Sequence, residues 1–333
     1  MAHGIVGVST VAWIAVVFAG QPDQPASPLQ FVRKITLAGP TGKRLDHLAL
    51  DSKRDRLFVA NMANASFDVI DIKAGKVLKS FPNQHGIQGV AYADSVDRVF
   101  VGVGEDGVCN VFDGEDYQVA GNVKLDDADN VRFDPRGQRI FVAHAPKSIS
   151  ILDPKSLKAE KQIALPGQPE AFQLEKTKPI LYVNVPSAKA VVAIDTDKGE
   201  VTKTHRLTMA GGNYPLALDE RGRRLFVGCR TPPTVLVVHS ESGKTLGSAA
   251  IPADVDDVFY DERRKLVYAA CGEGFLTVLR ETDANHFELA QKIPTAKLAR
   301  TCLFDAEQNQ LFLTVPRQEG AAGPEVWVYR VAK

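Results

Sequence analysis

The stretch Arg56-Leu57-Phe58-Val59-Ala60, RLFVA in one-letter code, returns six more times along the chain in related form. The related stretches are RVFVG at 98–102, RIFVA at 139–143, ILYVN at 180–184, RLFVG at 224–228, LVYAA at 266–270 and LFLTV at 311–315. Their aromatic anchors, spaced by 42, 41, 41, 44, 42 and 44 residues, are Phe58, Phe100, Phe141, Tyr182, Phe226, Tyr268 and Phe312. A period in the low forties is the length of one four-stranded propeller blade. The sequence therefore predicts an all-β protein, a single seven-bladed β-propeller.

Around each anchor the sequence predicts the four strands of one blade. A short apolar strand that ends in an acidic turn residue comes before the anchor strand, as in LALD at 48–51 and VRFD at 131–134. An alternating third strand follows, as in ISILD at 149–153, and then a fourth strand such as VTKTHRL at 201–207. The polar and apolar alternation of the fourth strand is typical of a half-exposed edge.

The two ends of the chain complement each other. The last repeat stops after its third strand, EVWVYRV at 325–331, whereas FVRKITL at 31–37 has the pattern of a fourth strand. We expect the N-terminal strand to complete the last blade, because this pairing closes the ring and removes exposed sheet edges. The propeller is predicted to span residues 31–333.

The first thirty residues differ in composition from the rest. Residues 5–19, IVGVSTVAWIAVVFA, carry no charge and end in a small-x-small pattern typical of a signal-peptide cleavage site. Fifteen residues are short for a bilayer core about 30 Å thick. A signal peptide over residues 1–20 is therefore favoured over an uncleaved N-terminal anchor, with a Pro-rich linker over residues 21–30. The expected location is the periplasm or the extracellular space, and membrane contact is expected only through an uncleaved N-terminal segment.

Charge and motif content exclude several functional classes. The chain has 40 basic and 40 acidic residues, so its zero net charge gives no electrostatic case for a nucleic-acid partner. The spacing of the four cysteines, Cys109, Cys229, Cys271 and Cys302, matches no zinc or haem motif, and buried free thiols are expected for most of them. No P-loop, GxSxG, HExxH or CxxCH motif occurs, so neither a nucleotide nor haem is expected. The glycine-rich stretch GVGEDG at 102–107 is interpreted as a turn.

The repeated stretches, the alternating strands such as VVAID at 191–195 and the export signal together resemble the YVTN-repeat, YncE-like family of seven-bladed β-propellers. The resemblance covers residues 31–333. It implies the propeller fold but little about activity, since similar propellers include binding proteins, electron-transfer subunits and streptogramin-type lyases. Function therefore has to be argued from the residues of the site.

Counting back from each anchor locates one mouth of the central channel, which is surrounded by the loops that precede the first strands and follow the second strands. Twelve residues before the anchors lies a set that we call the ring: Asp46, Gln88, Asp129, Glu170, Tyr214, Asp256 and Arg300. The next positions carry His47, Gly89, Asn130, Ala171, Pro215, Asp257 and Thr301. Polar residues are common where a loop enters a strand. Because their identities differ between repeats whose scaffold hardly changes, we predict a binding site at this mouth.

The ring suggests two chemistries that the sequence does not distinguish. Carboxylates suited to Ca²⁺ or Mg²⁺ are provided by Asp129, Glu170, Asp256 and Asp257. Alternatively, Arg230 and Arg300 neutralise these acids and hold an anionic ligand. The predicted ligand-binding residues are Asp46, Gln88, Asn130, Tyr214, Arg230 and Arg300.

Histidines decide whether catalysis is plausible. His47 adjoins the ring, and His144 follows a second strand on the same face, so these two are the predicted general acid or base. His85 is a third candidate. Further polar residues that follow second strands are Asn61, Asn184, Glu273 and Arg317.

Three functional hypotheses follow. The leading one is an exported propeller that binds a small molecule or cation at its axial mouth. The second is a metal-dependent lyase or hydrolase that uses the same residues with a histidine acid or base. The third is a scaffold that binds another protein or a cell-envelope polymer on its rim.

Overall fold

The computed structural model describes Met1, His3 and residues 27–332. Apart from Met1 and His3, the predicted signal peptide lies outside the described residues, as do residues 21–26 of the predicted linker. Among the described residues, no helix has the length and apolar character needed to cross a membrane.

Twenty-eight strands form seven four-stranded antiparallel sheets. Strand β1, Leu29–Thr36, precedes the first blade. Blades 1 to 3 contain β2 Leu48–Asp51, β3 Arg56–Asn61, β4 Ser66–Asp71, β5 Lys76–Phe81, β6 Ile87–Ala93, β7 Arg98–Val103, β8 Val108–Asp113, β9 Val119–Lys124, β10 Val131–Asp134, β11 Arg139–His144, β12 Ser148–Leu152 and β13 Ala159–Ala164. Blades 4 to 6 contain β14 Phe172–Leu174, β15 Ile180–Val185, β16 Ala190–Asp195, β17 Glu200–Arg206, β18 Gly211–Asp219, β19 Arg224–Thr231, β20 Pro233–His239, β21 Thr245–Ala250, β22 Val255–Asp261, β23 Leu266–Cys271, β24 Phe275–Asp283 and β25 His286–Pro294. Blade 7 adds β26 Cys302–Asp305, β27 Gln310–Val315 and β28 Glu325–Val331, and short 3₁₀ helices cover Met62–Asn64 and Pro186–Ala188.

The chain closes as predicted. Blade 7 has the strand order β1-β28-β27-β26, so the N-terminal strand is the outer strand of the last blade. The β1 and β28 ladder runs from Leu29 opposite Val331 to Thr36 opposite Glu325. Strand β1 begins two residues before the predicted Phe31, because Leu29 and Gln30 also pair with β28.

The core consists of seven apolar layers, one between each pair of neighbouring blades. The layer between blades 1 and 2, for example, packs Phe58 and Phe67 against Val99, Val101 and Phe112. Both faces of the second strand are buried in these layers, as in β3, where every residue after Arg56 is buried. This burial explains why the residues that follow the arginine in RLFVA are all apolar. All four cysteines are free and buried, as predicted for most of them, and residues 104–107 form the predicted turn between β7 and β8.

Candidate functional site

A β-bulge places the ring at one mouth of the channel. In blade 1, the Asp46 N–H donates to the Ala60 carbonyl at 2.8 Å, and the Ala60 N–H donates to the His47 carbonyl at 3.0 Å. Two residues of the first strand thus oppose one residue of the second. The same pairing opposes Asp129-Asn130 to Ala143 and Glu170-Ala171 to Asn184. Bulges re-aim side chains, and they are frequent beside active sites.

The bulge also explains a difference from the predicted strand limits. Register shifts in blades 2, 5 and 6 fall between Ile87 and Val90, between Asn213 and Leu216, and between Val255 and Asp257. The ring residues of these blades therefore lie inside extended first strands. The prediction had placed them in loops before shorter strands.

A left-handed turn precedes the bulge in five of the seven blades. Fourteen residues before the anchor, the backbone has positive φ at Gly86 (66°), Asp127 (49°), Gly212 (62°), Asp254 (60°) and Leu298 (64°). Glycine and aspartate tolerate this conformation, whereas a bulky residue such as leucine adopts it at a cost. In these five blades, the turn and the bulge together direct the chain into the first strand at the channel mouth.

One charged cluster joins blades 1 and 6. The Arg44 guanidinium donates to Asp46, and His47 lies between two carboxylates, with Nε2 3.7 Å from Asp46 Oδ1 and Nδ1 3.6 Å from Asp257 Oδ2. Asp257 also accepts a hydrogen bond from the Cys302 N–H at 2.8 Å. Burial lowers the pKa of His47, but the charges of Asp257 and Asp46 outweigh burial and raise that pKa to about 9. His47 is therefore a cation at neutral pH.

A second cluster joins blades 5, 6 and 7. Arg230 lies 2.5 Å from Asp256 Oδ1, and its guanidinium carbon lies 3.8 Å from the centre of the Tyr214 ring. Arg300 approaches Asp254 at 2.6 Å and Asp256 at 2.8 Å. Burial raises the pKa of Asp256 to about 6, although both arginines act in the opposite direction. The predicted pairing of Arg230 and Arg300 with ring acids is thus present.

Asp129 and Glu170 are the ring carboxylates without an ion-pair partner among the described residues. Neither forms an ion pair within the described part of the chain, and Asp129 accepts only a 3.3 Å hydrogen bond from the Asn130 amide. Burial and the neighbouring charges of Asp46 and Asp256 raise the pKa of Asp129 to about 7. Burial, Asp129 and Asp256 raise the pKa of Glu170 to about 8, although Arg230 and His47 act in the opposite direction. Both side chains are half-buried.

Arg132 lies on strand β10, three residues after the ring residue Asp129. Its guanidinium donates to the Val131 carbonyl at 2.8 Å and to Asn130 Oδ1 at 3.4 Å. Burial lowers the pKa of Arg132, and the carboxylates of Asp257 and Asp129 act against that shift. The Arg132 guanidinium carbon lies 5.8 Å from the centre of the Phe172 ring of blade 4.

Comparison with known proteins agrees with this architecture. A family model described as glutamine cyclotransferase matches residues 48–214, which is 167 of 333 residues. The chain belongs to the glutamine cyclotransferase family. The matched segment includes Asp129 and Glu170. No curated protein matches the chain, and the YVTN-repeat affiliation stays a prediction.

In this glutamine cyclotransferase family member, the other candidate residues make structural contacts. Both ring nitrogens of His144 are occupied within its own blade, at 2.9 Å from the Ala145 carbonyl and 2.9 Å from the Ser150 hydroxyl. Burial lowers the pKa of His144, so it is neutral, with Nδ1 donating to Ala145 and Nε2 accepting from Ser150. Exposed His85 pairs with Asp106 at 3.1 Å.

The remaining candidates fix loops at the same face. Asn184 donates to the Tyr214 and Pro215 carbonyls at 3.0 and 2.9 Å and so ties blade 4 to blade 5. Asn61 donates to Asp68 at 2.7 Å, Glu273 accepts from the Ala253 N–H at 2.7 Å, and Arg317 donates to the Ala321 carbonyl at 2.9 Å. Gln88 is half-buried, and its carbonyl accepts from the His47 N–H at 3.3 Å.

The predicted metal site has no preformed ligand set. Among the residues that the structure describes, no three His, Cys, Asp or Glu side chains are grouped to hold a metal ion. Asp256 instead contacts two arginines, and Asp257 contacts His47 and a backbone N–H. A Ca²⁺ or Mg²⁺ ion at this mouth therefore stays a prediction from sequence.

A cavity of about 960 Å³ lies at the opposite mouth, where the first strands end. Two of the acids that line it are engaged: Asp219 pairs with Arg224 at 2.7 Å, and Glu220 accepts from the Lys176 and Thr177 N–H groups. A third, buried Glu175, accepts from the Tyr182 hydroxyl at 2.9 Å, and burial raises its pKa. The ring mouth holds two half-buried acids without an ion-pair partner among the described residues, Asp129 and Glu170, together with the cation His47. Volume and chemistry therefore point to different ends of the channel, and we consider the chemistry to be the better guide to the site.

Proposed function

We propose that the protein is an enzyme that cyclises an amino-terminal glutamine at the ring mouth, with Asp129 and Glu170 as the proton-transfer groups. In this reaction the α-amino nitrogen attacks the carbon of the γ-carboxamide. A C–N bond forms to close the lactam ring, the original amide C–N bond breaks, and ammonia leaves. The family description names glutamine cyclotransfer, and the charge arrangement of the mouth supports it.

The single observation that carries the proposal is the pair of half-buried carboxylates that form no ion pair within the described residues. An incoming α-ammonium group supplies the positive charge that Asp129 and Glu170 lack, and their like-charge repulsion falls when it binds. The amine attacks only after it loses a proton, and the leaving nitrogen must gain one. Groups with pKa values of about 7 and about 8 are well matched to both transfers at neutral pH.

The neighbouring cations have a complementary role in this proposal. His47 was a predicted acid or base, but a histidine with a pKa of about 9 is already protonated and accepts no proton at neutral pH. We assign it, together with Arg132, to electrostatic stabilisation of the negative charge that develops on the carboxamide oxygen. Fixed positive charge in a water-poor site lowers the barrier of such a step.

Product formation from a Gln-initiated peptide tests the proposal. Wild-type protein should release ammonia and yield the pyroglutamyl peptide, followed by mass spectrometry. Glu170→Gln and Asp129→Asn should each lower kcat/KM by about 100-fold or more, since general acid-base groups contribute factors of about 10² to 10⁴. Glu160→Gln is the matched control, because Glu160 is exposed on the outer strand β13.

Two results would contradict the assignment in different ways. Full activity in both ring variants would remove Asp129 and Glu170 from the chemistry. Absence of product with the wild type, combined with calorimetric binding of the same peptide that N-acetylation abolishes, would favour the leading sequence hypothesis of a binding protein, here for an organic amine.

A further inference from the structure

A second cavity, of about 640 Å³, opens on the same face as the ring. It is formed by loops of blades 1 and 2 and by the loop that leads into blade 7. Its apolar lining comes from Met62, Ala63, Ala65 and Leu298, and its polar lining comes from Lys43, Arg44, Asn64, His85 and Glu105. The cavity thus has one apolar wall, on a face whose centre is charged.

Arg44 connects this cavity to the ring. Its guanidinium donates to Asp46, and this is its only hydrogen bond within the described residues. The side chain is 25% exposed, so further N–H groups are free to donate to a ligand carbonyl. Arg44 thus contacts the ring residue Asp46 and also lines this cavity.

Leu298 is an unexpected residue for its position in the repeat. The equivalent left-handed positions in blades 2, 3, 5 and 6 hold Gly86, Asp127, Gly212 and Asp254. These residue types adopt positive φ readily, whereas leucine does so at an energetic cost. Leu298 is half-buried and lines the cavity. A costly residue kept where its side chain lines the apolar wall of a cavity indicates that this side chain has a use.

We infer that this cavity is a subsite for a peptide ligand, in which Leu298 and Met62 contact an apolar side chain on the residue that follows the amino-terminal one. The inference rests on the proposed function in taking the ring mouth as the place of the ligand's amino group. The ligand class is then a peptide with a free amino terminus and an apolar second residue. Arg44 donates to the peptide carbonyl between the two residues.

The test separates binding at this subsite from turnover. Two peptides with methionine in place of the amino-terminal glutamine, Met-Leu-Ala and Met-Gly-Ala, cannot cyclise and report binding alone by calorimetry. Wild-type protein should bind Met-Leu-Ala at least about tenfold more tightly, since a buried leucine side chain contributes strongly to affinity. Leu298→Asn should reduce this preference to less than about threefold. Asparagine tolerates positive φ, so the variant should have an equal or higher Tm.

The control is Met209→Asn, an exposed methionine on the same face that does not line the cavity. It should keep the wild-type preference. The inference is overturned if wild-type protein binds both peptides equally or neither, or if Leu298→Asn keeps the full preference. If Gln-Leu-Ala is not cyclised while Met-Leu-Ala is preferred, the proposed enzymatic function fails and the subsite remains. If Gln-Leu-Ala and Gln-Gly-Ala are cyclised with equal kcat/KM, the subsite fails and the enzymatic function remains.

Discussion

Asp129 and Glu170 are held in a state that favours ligand binding over stability. Each carboxylate is half-buried and forms no ion pair within the described residues, and each repels Asp256. Residues that bind or react are commonly placed at such a cost to the fold. The arginine pairs around Asp256 are different, because there the opposite charges are already in contact. Ligand binding is therefore expected to act on the first pair and to leave the second intact.

The stability of the protein should depend on pH through these two acids. Their folded-state pKa values, about 7 and about 8, lie above the ordinary values near 4, so the native state binds protons more tightly than the unfolded chain does. Stability is then fully present below about pH 4 and is lost as pH rises through 7 and 8. The double variant Asp129→Asn/Glu170→Gln lacks this loss. Its Tm should exceed that of the wild type by about 2 °C or more at pH 9 and match it near pH 4.

Thermal unfolding at a series of pH values measures this difference, with Glu160→Gln as the control that leaves the curve unchanged. A double variant that is less stable than the wild type at pH 9 would show that these carboxylates have stabilising partners.

At the residue scale, the sequence predicted the position of the ring and, as one alternative, its pairing with Arg230 and Arg300, but not the other members of the two clusters. The repeat period located Asp46, Asp129, Glu170 and Asp256 at one mouth, since equivalent positions of a propeller share one end of the axis. The repeat does not give the distances between blades, so the sequence did not predict that Arg44, Arg132 and Asp254 join the cluster. Arg44 and Asp254 share one repeat position, two residues before the ring, and reading the register there would have found them.

At the scale of elements, the β-bulge is the feature that turns a repeated strand into a site. The second-strand residue opposite the bulge is small in most blades, as at Ala60, Gly102 and Ala143. A side-chain carbon on Gly102 would lie 2.7 Å from the Asp129 carbonyl oxygen of the next blade. The small residue that ends RLFVA and RVFVG therefore makes room for the neighbouring bulge. Strand positions were predictable from alternation, but the bulge was not, because it depends on hydrogen bonds between strands.

Gly89 tests the bulge directly. A Cβ at this position would lie 1.9 Å from the Asp129 carbonyl oxygen and 2.8 Å from the Val131 nitrogen, both backbone atoms. Gly89→Ala should therefore separate blades 2 and 3 at the ring mouth, lower the free energy of unfolding by about 1–3 kcal/mol, and reduce kcat/KM by displacing Asp129. Denaturant unfolding and the peptide assay measure the two effects.

The matched control is Gly211→Ala, since the nearest atom to its added Cβ is a flexible Lys189 side-chain carbon at 3.5 Å. If Gly89→Ala has wild-type stability, the backbone of blades 2 and 3 can shift to accommodate the added Cβ at little energetic cost.

At the scale of the whole molecule, the ring closes around an axis only because β1 pairs with β28. Complementary strand patterns at the two ends of the chain predicted this closure, and the observed register agrees with it. The pairing buries Leu29 and Ile35, which are 2% and 1% exposed, in the layers on either side of blade 7. Closure thus holds the first and last blades in position, and with them Asp46, His47 and Arg300 of the ring.

Removal of β1 should open the propeller at blade 7. A chain that begins at Leu37 leaves the β28 edge unpaired, and exposed edges of this kind promote aggregation. Compared with a chain that begins at Ser27 and keeps β1, it should have a Tm lower by about 10 °C or more, or aggregate. A synthetic peptide of residues 28–36 should restore Tm in a concentration-dependent manner, because a strand that binds only the folded state stabilises it by mass action. The same peptide with Ile35→Asp should not, since that side chain enters the buried layer. Equal Tm for the two chains would mean that seven blades close without this strand.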